Sequence, residues 1–258
     1  MTVRFEVTDH VARVTIDRPE RLNAVDMATE ARLNDIWSEI EGRGDIRCVV
    51  LTGAGDRAFS AGADMKEAGS PSGLAYWATP RPGGFGGIAL RETLNVPVIA
   101  RVNGFALGGG FEMVLGCDVV IAAEQASMGL PEVRVGRLPL DGGMVLLPRL
   151  IPRNIALGMM LTGRRVPAAE LARWGLVNEV VPLAEIDAAV DRWVAEIVAC
   201  APLSVRAVKH TARFTSHLRP GEAQRLRTDP LIAALTSADA DEGVRAFVEK
   251  RPPVWLGR

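Results

Sequence analysis

Strand patterns alternate with helix patterns along most of the chain, and this alternation is the feature that most limits its possible folds. Runs of β-branched or alternating apolar residues predict strands at 3–7, 11–16, 46–52, 98–102, 118–122 and 178–181. Apolar residues at helical spacing predict helices at 27–41, 111–116, 154–161, 168–174 and 186–200. Because strand-helix-strand units favour right-handed crossovers in a parallel sheet, we expect an α/β fold.

The chain changes character at Pro202, because only helical patterns follow it, at 203–214, 221–235 and 239–250. A segment of this length has too few residues to build much of a hydrophobic core alone. We therefore predict an α/β core over residues 1–200 and a helical segment over 201–258, which docks on the core or on another subunit.

The composition excludes several functional classes. Of the 258 residues, 48% are hydrophobic and 24% are charged, which is the balance of an ordinary soluble globular protein. The net charge of −1 gives no electrostatic basis for binding nucleic acid or anionic lipid. No stretch approaches the roughly 18 uninterrupted apolar residues of a membrane span, and the first residues show no secretory pattern, so we expect a cytoplasmic protein.

The cysteines and histidines predict neither disulfides nor a metal site. Cys48, Cys117 and Cys200 lie far apart in apolar sequence, which favours buried, reduced thiols. The three histidines show no metal-ligand spacing with one another or with cysteine.

The stretch 70–87 departs from the regular patterns, since it holds five glycines and three prolines. Tyr76, Trp77 and Phe85 lie among them. This composition fits either a plain surface insertion or a binding lid, because long loops in compact domains are often functional.

The segment GGGFEMVLGCD, residues 108–118, places three glycines directly before an apolar helical pattern. It lacks the spacing of a dinucleotide fingerprint, and no glycine run ends in the Lys-Ser/Thr pair of a phosphate loop. A serine-hydrolase interpretation of AFSAG, residues 58–62, is also disfavoured. There GAGDR separates the predicted strand from the serine, and no HGGG-type loop is present.

A third interpretation treats these glycines as backbone hydrogen-bond donors. The first amides of a helix are unpaired and lie at the positive end of its dipole, and Gly109 occupies such a position. Glu112 lies on the same helical face, about one turn further along. A similar turn, FSAGAD at 59–64, offers a second donor at Gly62-Ala63. Two amides that converge on one carbonyl oxygen form an oxyanion hole.

The sequence predicts the burial of one candidate acid, Glu112, but not that of the other, Glu132. Apolar residues at 111 and 113–115 surround Glu112, so we predict a buried carboxyl whose pKa is raised by desolvation unless donors compensate. Glu132, in MGLPEVRVG, fits either a solvated loop acid or a functional group.

Five blocks of the sequence resemble, in the same order, blocks of the enoyl-CoA hydratase/isomerase, or crotonase, superfamily. They are GAGDRAFSAGADMKE (53–67), PVIARVNGFALGGGFE (97–112), ASMGLPEVRVGRLPLDGG (126–143), LTGRRVPAAELARWGLVNEVV (161–181) and AFVEKRPPVW (246–255). The resemblance implies a spiral of repeated β-β-α units and a C-terminal helical segment used in trimer assembly, often as a dimer of trimers. Within the superfamily, the sequences of these blocks look most like those of the carnitinyl-CoA dehydratase branch.

The resemblance also implies an activity. Family members bind acyl-CoA thioesters and hold the thioester oxygen between two amides, which by motif position are those of Ala63 and Gly109. Hydratases of the family use two glutamates, here Glu112 and Glu132, to add water to a 2-enoyl-CoA or to remove it. Coenzyme A enters as part of the substrate, so no separate cofactor is expected. Which glutamate is the acid and which the base stays open, since neighbouring carboxyls titrate as a pair.

We predict further substrate-binding residues, some because they match family positions and others, such as Trp77, because of their chemistry. They are Ala61, Asp64, Met65, Lys66, Trp77, Pro139, Asp141, Phe247 and Lys250. Phe247 and Lys250 would contact the CoA bound by a neighbouring subunit, and Lys66 would contact the nucleotide end of CoA. Simple exposure on the surface would account for the presence of both lysines equally well. Trp77, with Tyr76, fits a trimethylammonium group or a plain acyl chain. Asp141 departs from the common PGAGG pattern and comes one residue later than the aspartate of the carnitinyl-CoA branch, which leaves the acyl group open.

Two other functions stay open. A Δ3-Δ2 enoyl-CoA isomerase would move a proton without adding water and generally needs only one acid. A crotonase-like binding or scaffolding protein, including an RNA-binding one, is disfavoured by the balanced charge and by the intact glutamate pair.

Overall fold

The main sheet has six strands in the part of the chain that the computed structural model describes, residues 2–67, 69, 73–81 and 83–258. They are β1 (Val3–Thr8), β2 (Val11–Ile16), β3 (Cys48–Gly53), β5 (Val98–Val102), β7 (Val119–Ala123) and β10 (Glu179–Val181). The order is β1-β2-β3-β5-β7-β10, with β1 antiparallel to β2 and all other pairs parallel. The six predicted strands and the α/β class are confirmed.

A smaller sheet in the described chain contains β4 (Ala58–Ser60), β6 (Phe105–Leu107), β8 (Ser127–Gly129) and β9 (Val166–Pro167), in that order. β4, β6 and β8 each follow a main-sheet strand after a short turn and pair in parallel. The chain therefore repeats a strand-turn-strand unit. Gly104 allows the second turn to lie against the first, because an added Cβ would fall 2.2 Å from the Arg57 carbonyl oxygen.

Helices cover both faces of the main sheet, which explains why its strands are apolar on both sides. The helices of this part are α1 (Met27–Gly42), α2 (Leu74–Ala78), α3 (Gly109–Leu115), α4 (Gly143–Leu150), α5 (Arg153–Thr162), α6 (Ala168–Arg173) and α7 (Ile186–Val198). On β3, Val49 and Leu51 join the core that contains the buried face of α1. Cys48 and Val50 point the other way and pack in the cluster formed with α7.

The last part of the chain is helical and contacts the α/β body. Its helices are α8 (Pro202–Phe214), α9 (Pro220–Ala223), α10 (Asp229–Leu235) and α11 (Ala238–Glu249). The buried Lys209 Nζ on α8 lies 2.6 Å from Asp118 Oδ2 and donates to the Val96 carbonyl oxygen at 2.8 Å. The Trp255 indole N–H donates to the Ala199 carbonyl oxygen at 2.7 Å. These contacts fix the helical segment to the body of the same chain.

Several predictions about elements were wrong or incomplete. The single helix predicted at 221–235 is interrupted between α9 and α10. Pro230 has no amide hydrogen to continue a preceding helix and lies instead in the first turn of α10, where that hydrogen is not needed. The helices α2 and α4 were not predicted. Cys200 was predicted to be buried, but it is exposed, since it follows the last turn of α7 where the chain leaves the sheet.

No helix in the described ranges is long and apolar enough to span a membrane. The glycine- and proline-rich stretch 70–87 contains α2 and a short 3-10 turn, Phe85–Gly87. Its residues 70–72 and 82 lie outside the described residues.

Candidate active site

A cavity of about 1320 Å³ opens between α1, α2, the first turn of α3 and the loop before α4. Eight of the residues predicted to be catalytic, to form the oxyanion hole or to bind substrate line it: Ala63, Asp64, Met65, Trp77, Gly109, Glu112, Glu132 and Asp141. They come from five separate segments of the chain. The described part of the stretch 70–87 forms one wall of this cavity, which agrees with the binding-lid interpretation rather than with a plain surface insertion.

The two turns that resemble each other in sequence lie against one another in the fold. An added Cβ on Gly62 would fall 3.0 Å from the Gly109 amide nitrogen and 2.7 Å from the Leu107 carbonyl oxygen. Gly62 has φ +85, which also favours glycine there. The amides of Ala63 and Gly109 are therefore close neighbours at the cavity wall.

Neighbouring backbone hydrogen bonds hold this pair of turns in place. The Val25 amide donates to the Gly62 carbonyl oxygen at 2.8 Å, and the Asp64 amide donates to the Val25 carbonyl oxygen at 3.0 Å. Within the described ranges, the amides of Ala63 and Gly109 have no hydrogen-bond acceptor in the protein. Two unpaired donors at a cavity wall can bind a substrate oxygen.

Glu112 is buried in α3, as predicted, with 2% of its surface exposed. Its Oε1 accepts hydrogen bonds from the Asp141 amide at 2.9 Å and from the Gly143 amide at 2.8 Å. Burial raises the pKa of Glu112 to about 8, the Gly143 amide opposes this rise, and the nearby charges of Asp141 and Glu132 add to it. This carboxyl is held in one orientation and keeps its proton near neutral pH.

Glu132 lies on a 3-10 turn, Pro131–Val135, and is half-buried beside the start of α3. An added Cβ on Gly108 would fall 3.1 Å from Glu132 Oε1. Its Oε2 is buried and has no hydrogen-bond partner among the described residues. Burial raises the pKa of Glu132. Glu132 is therefore not a solvated loop acid. It lines the cavity, and one of its two carboxyl oxygens is buried without a hydrogen-bond partner in the described chain.

A second group of charged side chains lines the same cavity and is joined to Glu112 through Asp141. The Tyr76 hydroxyl donates to Asp141 Oδ2 at 2.5 Å, and the Arg81 guanidinium lies 4.2 Å from the centre of the Tyr76 ring. Arg81 also forms an ion pair with Glu30 of α1. Sequence reasoning missed Glu30 and Arg81, because neither lies in a motif and the two are joined only by the tertiary fold.

Five predicted substrate-binding residues do not line the cavity: Ala61, Lys66, Pro139, Phe247 and Lys250. The Ala61 amide donates to the Leu22 carbonyl oxygen at 3.0 Å, so Ala61 supports the turn that carries Ala63. Pro139 is buried beside Gly143. Phe247 is 85% exposed on α11, and Lys250 follows the end of that helix. A role for these last two at a neighbouring subunit stays a prediction.

Comparison with known proteins agrees with this geometry. The family model described as enoyl-CoA hydratase/isomerase matches residues 6–258. Carnitinyl-CoA dehydratases of Shigella flexneri and of Escherichia coli (strain K12) are each 40% identical over 252 residues, which covers 96% of this chain and 95% of theirs.

Solved structures give the same result. The enoyl-CoA hydratase from Bacillus anthracis has a TM-score of 0.91 and 34% identity, with 100% of both chains covered. The enoyl-CoA hydratase from Mycobacterium tuberculosis H37Rv has a TM-score of 0.89 and 33% identity, covering 100% of this chain and 99% of the other. With its fold and its sequence both matched over nearly their full length, this chain belongs to the enoyl-CoA hydratase/isomerase family.

Proposed function

We propose that this protein is an acyl-CoA hydratase, a hydro-lyase that adds water to the C2–C3 double bond of a 2-enoyl-CoA thioester and removes it in the reverse direction. One observation carries the proposal. A single cavity brings together two amides that have no acceptor among the described residues, those of Ala63 and Gly109, and two carboxyl groups with raised pKa values, those of Glu112 and Glu132.

The two amides would bind the thioester oxygen. When water adds to C3, the electrons of the double bond move toward this oxygen and form an enolate. Hydrogen bonds from Ala63 and Gly109 stabilise the enolate more than the neutral substrate, and a stronger interaction in the transition state is what accelerates the reaction. Each such donor contributes about 3 to 4 kcal/mol in comparable sites.

The two carboxyl groups would handle the protons. Burial raises the pKa of both glutamates, so the pair retains a proton near neutral pH and also holds a carboxylate. The carboxylate takes a proton from water as its oxygen bonds to C3, and the carboxylic acid delivers a proton to C2. One proton leaves the pair and one enters it, so the number of protons on the pair is unchanged. A proton transfer from the new carboxylic acid to the new carboxylate then restores the starting state.

A group of charged side chains beside Glu112 favours a polar acyl group. Glu30, Tyr76, Arg81 and Asp141 line the cavity, and two carboxylates face one guanidinium there. An alkyl chain would exclude water from these charged groups, at a cost in free energy. Because relatives at 40% identity are carnitinyl-CoA dehydratases, we propose crotonobetainyl-CoA and carnitinyl-CoA as the substrate pair. A trimethylammonium group fits a net negative site with aromatic rings.

Coenzyme A is part of the substrate in this proposal, and the chain needs no separate cofactor. We also propose the trimer, or dimer of trimers, that the sequence resemblance implies. Exposed apolar side chains on α11 support it, since Val244, Phe247 and Val248 are each at least 67% exposed in the single chain.

Glu112→Gln tests the proposed function. The glutamine Oε1 can still accept from the Asp141 and Gly143 amides, so folding and acyl-CoA binding should change little. Hydration should fall by about 10²- to 10⁴-fold, because the side chain can no longer exchange a proton. Steady-state hydration of crotonobetainyl-CoA and a panel of enoyl-CoA thioesters measures the rate, and calorimetric titration measures binding.

Three outcomes would contradict the proposal. Normal turnover of the Glu112→Gln variant would remove the assigned role of this residue. Conversion of 3-enoyl-CoA to 2-enoyl-CoA, with no product heavier by one water, would identify an isomerase. No turnover of any CoA thioester, together with a protein partner recovered by pull-down, would identify a binding or scaffolding protein.

A further inference from the structure

Asp141 connects Glu112 to a wall of the cavity through two different parts of the same residue. Its backbone amide donates to Glu112 Oε1 at 2.9 Å. Its side chain accepts from the Tyr76 hydroxyl at 2.5 Å. Asp141 is 7% exposed, so both hydrogen bonds lie in a largely desolvated environment. A change in the Tyr76 contact is therefore transmitted to the loop that holds the Glu112 carboxyl.

Tyr76 is itself fixed by a second set of contacts. The Arg81 guanidinium covers the Tyr76 ring at 4.2 Å and pairs with Glu30 on the first turn of α1. Arg81 is about one-quarter exposed and Glu30 is less exposed, so the ion pair is partly shielded from solvent. Tyr76 thus has a restricted orientation, with its hydroxyl directed at Asp141.

We propose that Tyr76 and Asp141 are positioning residues for Glu112. Their hydrogen bond fixes the loop whose amides orient the Glu112 carboxyl, and it keeps a second negative charge beside that carboxyl, so that Glu112 retains the proton needed for catalysis. The inference rests on the proposed function, with Glu112 taken as the carboxylic acid that delivers the proton to C2.

The charged groups around Glu112 are few, which makes the effect of Asp141 separable. Among the described elements packed on α3, the strands β4 and β6 and the turn Phe85–Gly87 carry no ionisable side chain. On α4 the only charged residue is Arg149, which is exposed and donates to the Val145 carbonyl oxygen. The charges that face Glu112 are therefore those of Glu132 and Asp141.

Asp141 is in turn influenced by Tyr76, Arg81 and Glu30. Burial raises the pKa of Asp141, while the hydrogen bond from Tyr76 and the positive charge of Arg81 act against this rise. Asp141 also raises the pKa of Glu30 on α1, after burial as the main cause. The Tyr76 hydroxyl is thus the direct donor that favours the carboxylate form of Asp141.

Asp141→Asn isolates the charge. An asparagine side-chain oxygen can still accept from Tyr76, and the backbone amide at 141 still reaches Glu112. We expect the basic limb of the kcat–pH profile to move to lower pH by at least about half a unit, because a negative charge beside Glu112 is removed. KM should change less than kcat at the basic end. Asp35→Asn, the same replacement on the exposed face of α1, should leave the profile in place.

Tyr76→Phe tests the hydrogen bond. In the wild-type background, Tyr76→Phe should lower kcat several-fold and move the basic limb of the kcat–pH profile to lower pH. In the Asp141→Asn background, the same change should move the basic limb little, because the Asp141 carboxylate that Tyr76 stabilises has already been removed. Non-additivity of this kind distinguishes coupling through Asp141 from two independent structural effects.

A measurement without turnover completes the test. ¹³C NMR of glutamate-labelled protein, with the Glu112 signal assigned by its absence in Glu112→Gln, should show Glu112 titrating at lower pH in Asp141→Asn. An unchanged titration and an unchanged basic limb in this variant would overturn the inference, even if hydration depends on Glu112. If Glu112→Gln retains full turnover, the proposed function fails instead, and the NMR titration still reports on Asp141.

Discussion

Gly109→Ala is the sharpest test of the oxyanion hole, because the surrounding contacts leave no room for a side chain. An added Cβ would lie 2.6 Å from three ring atoms of Phe85, well short of the 3.4 Å at which ordinary van der Waals contact begins. The Phe85 ring is 4% exposed and belongs to the core cluster, so it cannot turn into solvent. The backbone at residue 109 must therefore move away, and its amide moves with it.

The size of the effect follows from what each group does. Loss of one oxyanion donor lowers kcat by about 10²- to 10³-fold in comparable sites. Overpacking of a core contact costs about 1 to 3 kcal/mol in the free energy of unfolding. We therefore expect a variant that folds with reduced stability and loses most of its hydration rate, while its affinity for the CoA portion changes little.

The assay combines steady-state hydration with urea unfolding. Gly158→Ala is a matched control, because its added Cβ meets only Arg164 Nη2, at 3.8 Å, in the middle of α5. That change should leave kcat unaltered and raise stability by about 0.5 to 1 kcal/mol. A Gly109→Ala variant whose kcat stays within a few-fold of the wild type would refute the assignment of this amide. Recovery of kcat in Gly109→Ala/Phe85→Ala would trace the loss to the contact with Phe85.

Two further predictions concern stability. The pKa of Glu112 is about 8 in the folded protein against an ordinary 4.5, so its contribution to stability is present below about pH 4.5 and is lost as pH rises through 8. The free energy of unfolding should then fall more steeply between these pH values in the wild type than in Glu112→Gln, and equal slopes in urea unfolding would contradict this. Lys209→Met should cost about 2 kcal/mol of stability, because it leaves the partly buried Asp118 without its nearest cation, although Arg213 and the Val98 amide remain. A urea midpoint equal to that of the wild type would show that this ion pair contributes nothing.

The main elements of the fold could be predicted because their patterns are long. Five of the six strands in the main sheet have five or six residues with a run of apolar or β-branched side chains, and β10, with three residues, is the exception. The helices α1 and α7 have clear apolar faces. The strands of the smaller sheet have only two or three residues each, too few to show a period of two. The helix α4 begins with glycine and contains Pro148, both of which weaken the helical signal.

The parts of the site that depend on residues near one another in the sequence could be predicted. The burial of Glu112 follows from the apolar residues around it within α3, and the meeting of Gly109 with the turn at Ala63 follows from two similar stretches of sequence. The group formed by Glu30 and Arg81 joins side chains 51 residues apart across a cavity. No spacing rule links such positions, so only the tertiary fold identifies them.

Glu132 shows that stability and catalysis make opposite demands at one atom. A buried acceptor without a hydrogen bond, such as its Oε2, lowers the stability of a fold by about 1 to 3 kcal/mol. In the proposed mechanism, this oxygen gains its hydrogen-bond partner only when substrate and water enter the cavity. Selection for stability alone would therefore favour an apolar side chain at position 132, and in the proposed mechanism it is catalysis that requires the glutamate.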